Sequence, residues 1–329
     1  MRQYIGSAQT ETGDRLRHLP VSFFSSVMGL SGVSIALQKA AEASLAPDGL
    51  WLGALVLSSA VLGALLIAYI RKLLIYTTDV VSEFRHPVRI NFFPAISISF
   101  ILQAIAYFPL SHTVSFWLWV VGVILQLVLS VTIIGGWVWR DTHNIANLNP
   151  AWFIPAVGNI LVPVVGVNHA PADISLFFFA TGMFFWILLV TVFFYRSIFH
   201  EAIPEKLQPL LFILLSPPAI GVISLYKLTG GLGMTAMLLY FVGLFTLLVL
   251  LSRLKNFMTI PFMLPWWAYT FPVAAITIAT IVVYRVSHQY IYGFIAQILL
   301  VATISITTIT FIMTIRAMRR GKICSPEGQ

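Results

Sequence analysis

A single cysteine, Cys324, excludes an internal disulfide and a metal centre built from several thiolates. Charge is the next scarcity. Asp, Glu, Lys and Arg make up 9% of the 329 residues, against about 25% in a soluble domain. With 59% hydrophobic residues and a mean hydropathy of +0.93, the chain reads as an integral membrane protein. The 11 carboxylates all fall in tails, loops or helix ends, and so do the seven histidines. Proton-coupled carriers and pumps place Asp, Glu or His at membrane depth. Hydrolytic and metal sites need such groups to converge. No catalytic residue, metal ligand or cofactor is therefore expected, and the chain is not read as an enzyme. The net charge of +8 is assigned to topology and lipid headgroups rather than to nucleic acid. The first 19 residues lack the apolar middle of a signal peptide and read as a polar tail.

What is abundant is apolar sequence in lengths that cross a bilayer. Ten spans are expected, at about 20–38, 49–70, 91–108, 114–139, 150–167, 174–195, 208–226, 231–252, 264–284 and 290–315. Several gaps between them are a few residues long, which forces antiparallel hairpins. All but three of the 19 Lys and Arg residues fall on one side of this arrangement; the exceptions are Lys39, Lys227 and Arg285. The bias predicts cytoplasmic N- and C-termini, and the protein is expected in the cell inner (plasma) membrane. The expected organisation is a cytoplasmic tail at 1–19, a ten-helix domain at 20–316 and a cytoplasmic tail at 317–329.

The odd-numbered segments share a signature: proline at or inside their starts (Pro20, Pro94, Pro150, Pro209, Pro265) and many small or hydroxylated residues. The even ones have no interior proline and are rich in Leu, Val, Phe and Trp. Backbone groups freed by proline must be shielded from lipid, and small residues belong where backbones approach closely. The odd helices are therefore expected inside, around a central axis, and the even helices outside. The same small residues also fit tight packing without a pore. In the ninth segment, Phe271 shares a helical stripe with Ala268, Ala275 and Ala279. One large ring on a stripe of methyl groups suggests a narrow pore closed by that ring, with Pro272 kinking the helix and, with Thr270, supporting the gate. Ser22, Ser25, Ser97 and Thr270 are candidate hydroxyl donors to an anion. Asn159 is a candidate lining residue or an interhelical hydrogen-bonding one. Arg85 and Arg89 would attract anions to the cytoplasmic mouth or anchor in headgroups. Trp266 and Trp267 read as interfacial residues.

Three stretches carry a resemblance. Trp266-Trp267-Ala268-Tyr269-Thr270-Phe271-Pro272, followed by Ala274-Ala275-Ile276, resembles the ninth helix of the plant guard-cell slow anion channels. Glu83-Phe84-Arg85-His86-Pro87-Val88-Arg89 is similar to the linker before the third helix of bacterial TehA proteins, and Pro155-Ala156-Val157 with Asn159 to their fifth helix. The chain thus resembles the tellurite-resistance/dicarboxylate transporter family over about residues 18 to 316. The resemblance implies ten helices as five hairpins in quasi-fivefold arrangement around a central pore, a homotrimer in membrane lipid, and a phenylalanine gate at the position of Phe271. It implies small inorganic or organic anions as partners, passed by an anion channel or by a carrier for C4-dicarboxylates, sulfite or tellurite. The chain lacks the long phosphorylatable tails of the plant channels, so kinase gating of that type is not expected.

Overall fold

The structure, a computed structural model, describes residues 15–139 and 144–324. Most of the tail expected at 1–19, and the end of the one at 317–329, lie outside the described residues. The helices follow the expected order: α1 (Val21–Glu42), α2 (Leu50–Ile75), α3 (Arg89–Tyr107), α4 (His112–Trp139), α5 (Pro150–Gly166), α6 (Ala172–Phe199), α7 (Glu205–Thr229), α8 (Met234–Leu251), α9 (Leu264–Ser287) and α10 (Tyr290–Arg319). Short helices Thr77–Arg85 and Leu254–Thr259 precede α3 and α9. Among the described residues, nine helices are long and apolar enough to cross a membrane, and there is no strand.

The remaining expected span, α5, is a shorter apolar helix and is broken into Phe153–Leu161 and Pro163–Gly166. Pro163 has no N–H to donate to the Asn159 carbonyl. The Val162 N–H takes that carbonyl instead, at 3.3 Å, which tightens the turn.

Proline placement explains a second regularity. Each odd helix opens with a 3₁₀ turn: Val21–Phe24, Arg89–Phe92, Pro150–Trp152, Glu205–Leu215 and Leu264–Trp266. The one in α7 runs longest, with Pro209 inside it and Pro217 and Pro218 just after it. These prolines remove the donors that the regular i→i−4 ladder needs.

The packing has fivefold regularity. Consecutive helices pair as the hairpins α1–α2, α3–α4, α5–α6, α7–α8 and α9–α10. The odd helices touch in a closed ring, α1–α3–α5–α7–α9 and back to α1. Each even helix also leans on the next odd one: α2 on α3, α4 on α5, α6 on α7, α8 on α9, and α10 on α1. Every outer helix therefore covers a seam of the inner ring. In their most apolar stretches the inner helices α1, α3, α7 and α9 are 78–89% buried, and the five outer helices 22–33%. Outer-helix side chains such as Val56, Trp117, Phe184, Phe245 and Phe294 are exposed, as a surface facing lipid requires.

The tightest inner seam joins α1 to α9. A Cβ on Gly29 would fall on the Thr270 hydroxyl, and one on Gly32 would lie 2.8 Å from the Ala274 Cβ. Glycine is required there by approach, not by backbone angle. Polar side chains tie the other seams. The Gln103 amide nitrogen donates to Ser31 on α1 at 3.0 Å and to Ser58 on α2 at 2.8 Å.

At the end of the bundle where the odd helices begin, here the near end, lies a buried ion pair. Lys72 Nζ is 2.9 Å from Glu83 Oε2, with side chains 4% and 5% exposed. Glu83 also accepts from the Tyr69 hydroxyl at 3.0 Å and from the Val21 N–H at 2.7 Å. Lys72 donates to the Leu19 carbonyl at 2.7 Å. The carboxylate thus anchors the short helix and α2 to the first turn of α1, where the exposed N–H groups favour negative charge.

Candidate functional site

Two cavities lie inside the ring, each lined by all five inner helices and, among the described residues, by no outer one. The near cavity has a volume of about 260 Å³. The far cavity, at the end where the odd helices finish, has about 300 Å³. Each is large enough to hold several water molecules. One residue lines both: Phe271, whose side chain is buried, 4% exposed, between them. The two cavities therefore meet at one phenyl ring.

The rest of the α9 stripe follows from helical phase. Ala268 and Pro272 line the near cavity and Ala275 the far one. Ala279 does not; it is fully buried between helices, and Ile278 and Val282 line the far cavity instead. At about 100° per residue, position 278 returns to within about 20° of Phe271, whereas 279 stands about 80° away. Pro272 sits inside the continuous α-helix Trp267–Ser287, so the Ala268 carbonyl lacks its helical donor. Trp267 is buried and lines the near cavity, its indole N–H donating to Thr314 on α10 at 3.0 Å. The interfacial reading of this residue is thereby corrected.

The hydroxyl candidates divide. Ser22 and Ser25 line the near cavity, but Ser25 donates to the Ser22 carbonyl at 2.6 Å. Ser97 lines neither cavity; its Oγ lies 2.6 Å from Gln126 Oε1 and 2.8 Å from the Pro94 carbonyl, binding α3 to α4. Thr270 also lines neither; it is buried against Gly29 and donates to the Trp267 carbonyl at 2.7 Å. Asn159 is buried off the axis, its amide donating to Ser130 at 3.1 Å and to the Pro155 carbonyl at 3.0 Å. Its interhelical reading holds, and its lining reading does not. The sequence reading missed Ser216, a buried residue lining the near cavity whose Oγ has no hydrogen-bond partner among the described residues. Its position before Pro217 and Pro218 on an inner segment was the available signal.

The arginines divide too. Arg89 lines the near cavity, while Arg85 is exposed at the end of the short helix and lines neither. At the far mouth stand Lys39, Glu42, Lys227 and Arg285. Between these two ends, among the described residues, no ionisable side chain except the Tyr226 phenol lines either cavity. The three basic residues at the far mouth are the three exceptions to the charge bias. The sequence marked them as exceptions without showing that they meet.

A family model described as SLAC1, voltage-dependent anion channel, matches residues 18–315. The chain is 32% identical over 222 residues to the S-type anion channel SLAH2 of Arabidopsis thaliana, covering 66% of this chain and 42% of that protein. It is 26% identical over 280 residues to the guard cell S-type anion channel SLAC1 of the same plant, covering 81% and 50%. An uncharacterized transporter of Methanocaldococcus jannaschii is 22% identical over 338 residues, 94% of this chain and 96% of its own length. The match thus spans about half of the plant relatives' length or less, and nearly all of the archaeal one.

Proposed function

Because the chain belongs to the SLAC1 family of voltage-dependent anion channels, we propose that it is a membrane channel for small anions, closed by Phe271. The observation that carries this reading is that, among the described residues, Phe271 alone borders both axial cavities. Pro272, directly after the ring, softens the helix where the ring is mounted. Selectivity follows from what lines the path. A cation pathway calls for an acidic ring, whereas the near cavity offers Arg89 and the hydroxyls of Ser22 and Ser216. The absence of a carboxylate or histidine between the mouths favours passive conduction over proton-coupled carriage.

By the positive-inside rule the near end is cytoplasmic, with both termini there, and α5 makes the tenth crossing despite its break. The assembly is a homotrimer with one passage per protomer, to be tested by cross-linking in membranes. The test of function is anion current across a planar bilayer, comparing the parent with Phe271→Ala in chloride, nitrate and malate. A large passive current in the variant, with Phe271→Leu between the two, is expected. A Phe271→Ala protein that inserts and conducts no more than the parent refutes the gate.

A further inference from the structure

Three of the five inner helices end in a base. Lys39, Lys227 and Arg285 lie in the last turns of α1, α7 and α9. A cation near a helix C-terminus interacts well with the helix dipole, and that accounts for each one singly. It does not account for their meeting around one cavity.

Among the described residues, Glu42 is the only carboxylate lining that cavity. Its Oε1 is 2.6 Å from Lys39 Nζ and its Oε2 is 2.6 Å from Arg285. Both oxygens are thus occupied, and Lys227 makes no ion pair among the described residues. Three cations and one carboxylate leave two positive charges uncompensated. Apolar walls below them, including Leu102 and Ile220, focus that field into the cavity.

We infer that this far mouth is an anion-binding vestibule. Lys227 supplies its uncompensated charge, and Lys39 and Arg285, held in place by Glu42, complete the cradle. Its ligand is a small inorganic monoanion. The wall between the mouth and Phe271 carries no charge to follow a dianion inward, and desolvation cost rises with the square of ionic charge. Glu42 occupies part of the cradle itself and keeps the hold weak enough for release, as conduction requires. The proposal rests on the channel reading for its purpose, but the binding can be tested apart from it.

Crystals of the parent soaked in sodium bromide provide the first readout. Anomalous density beside Lys227, absent in Lys227→Gln and retained in Lys227→Arg, is expected; a mouth without density overturns the site. The second readout is conductance in the Phe271→Ala background. At low salt, Lys227→Gln lowers conductance for anions entering from the far side by about threefold, and the loss fades at high salt where the charge is screened. Glu42→Gln raises the same low-salt conductance. Equal low-salt conductance in Lys227→Gln and its parent overturns the vestibule's role. Bromide bound beside a Phe271→Ala channel that passes no current would sink the channel reading and leave the site standing. Current without bromide density would do the reverse.

Discussion

Replacing Glu83 by Gln tests whether the near mouth is held by a buried charge. The substitution keeps shape and one acceptor, so the Val21 N–H retains its partner. It turns an amide NH₂ toward the Lys72 ammonium and the Tyr69 hydroxyl, which sit 2.9 and 3.0 Å from the carboxylate in the parent. Lys72, 4% exposed, is left with the Leu19 carbonyl and the Tyr69 ring, whose centroid is 5.4 Å from Nζ. Two charge-assisted hydrogen bonds at about 1.5–3 kcal/mol each agree with the about 3–5 kcal/mol found when one partner of a buried pair is removed. Removing the stranded charge as well should recover much of this. Lys72→Met with Glu83→Gln is expected to lose only about 1–2 kcal/mol, a recovery of about 2–3 kcal/mol relative to Glu83→Gln alone. Unfolding of the purified protein in detergent, followed by circular dichroism, measures all four corners of the cycle. A Glu83→Gln protein within about 1 kcal/mol of the parent, or a double variant no better than the single, refutes the reasoning. The cluster bears on function through position. Glu83 holds the turn Val21–Phe24, which contains Ser22 of the near cavity.

Two further predictions concern packing and pH. Gly29→Ala should destabilise by about 1–3 kcal/mol through overpacking, since its Cβ would fall on the Thr270 hydroxyl; Thr270→Ala should recover only part, because the Thr270 Cβ is itself 2.8 Å away. The same unfolding assay reads both, and full stability in Gly29→Ala would show that the α1–α9 seam yields freely. His169, between α5 and α6, lies 2.8 Å from the Ser115 hydroxyl and beside the rings of Phe108, Phe116 and Trp119. Burial first, and then the neighbouring His112, hold its pKa below the usual 6.5. The folded state therefore resists the proton that the unfolded chain accepts, so stability is full above about pH 6.5 and falls as pH drops below it. Melting temperature against pH should flatten in His169→Gln over that lower range; an unchanged slope would remove His169 as its source.

Much of the architecture was written in local signals. Spans follow from apolar length, and the division into inner and outer helices follows from where proline and small residues lie. Both are properties of short windows, so one sequence suffices to read them. That Phe271 faces the axial cavities was legible for the same reason, as one ring on a stripe of methyls. The misreadings arose where a residue's role depends on a neighbour far along the chain. Ser97 looks like a hydroxyl available to a pore until Gln126 of α4 engages it, and of the two readings open to Asn159 only its contact with Ser130 of α4 selects the interhelical one. Arg285 and Glu42 meet across 243 positions, and no local window contains both. Glu83 was visible only as part of a linker motif, because the groups it holds come from α2 and the start of α1.

The placement of charge and the placement of softness point to the same mechanism in the proposed channel. Charge stands at the two mouths, with Arg89 at one and Lys39, Lys227 and Arg285 at the other. It raises the local anion concentration where water still screens it, and nothing along the wall binds an ion strongly enough to hold it. The barrier is then a matter of space, and the space is occupied by one ring. Gly32 provides the groove on α1 that receives it: a Cβ there would stand 3.5 Å from Phe271 Cδ2. With about 260 Å³ open on one side and about 300 Å³ on the other, the ring can swing off the axis into existing space. The tight seam at Gly29 and Thr270 need not part for that swing. The helix carrying the ring is missing a hydrogen bond between Ala268 and Pro272, the turn that contains Phe271. Opening therefore asks for a side-chain rotation and a local bend in α9, not for a rearrangement of the five-helix ring.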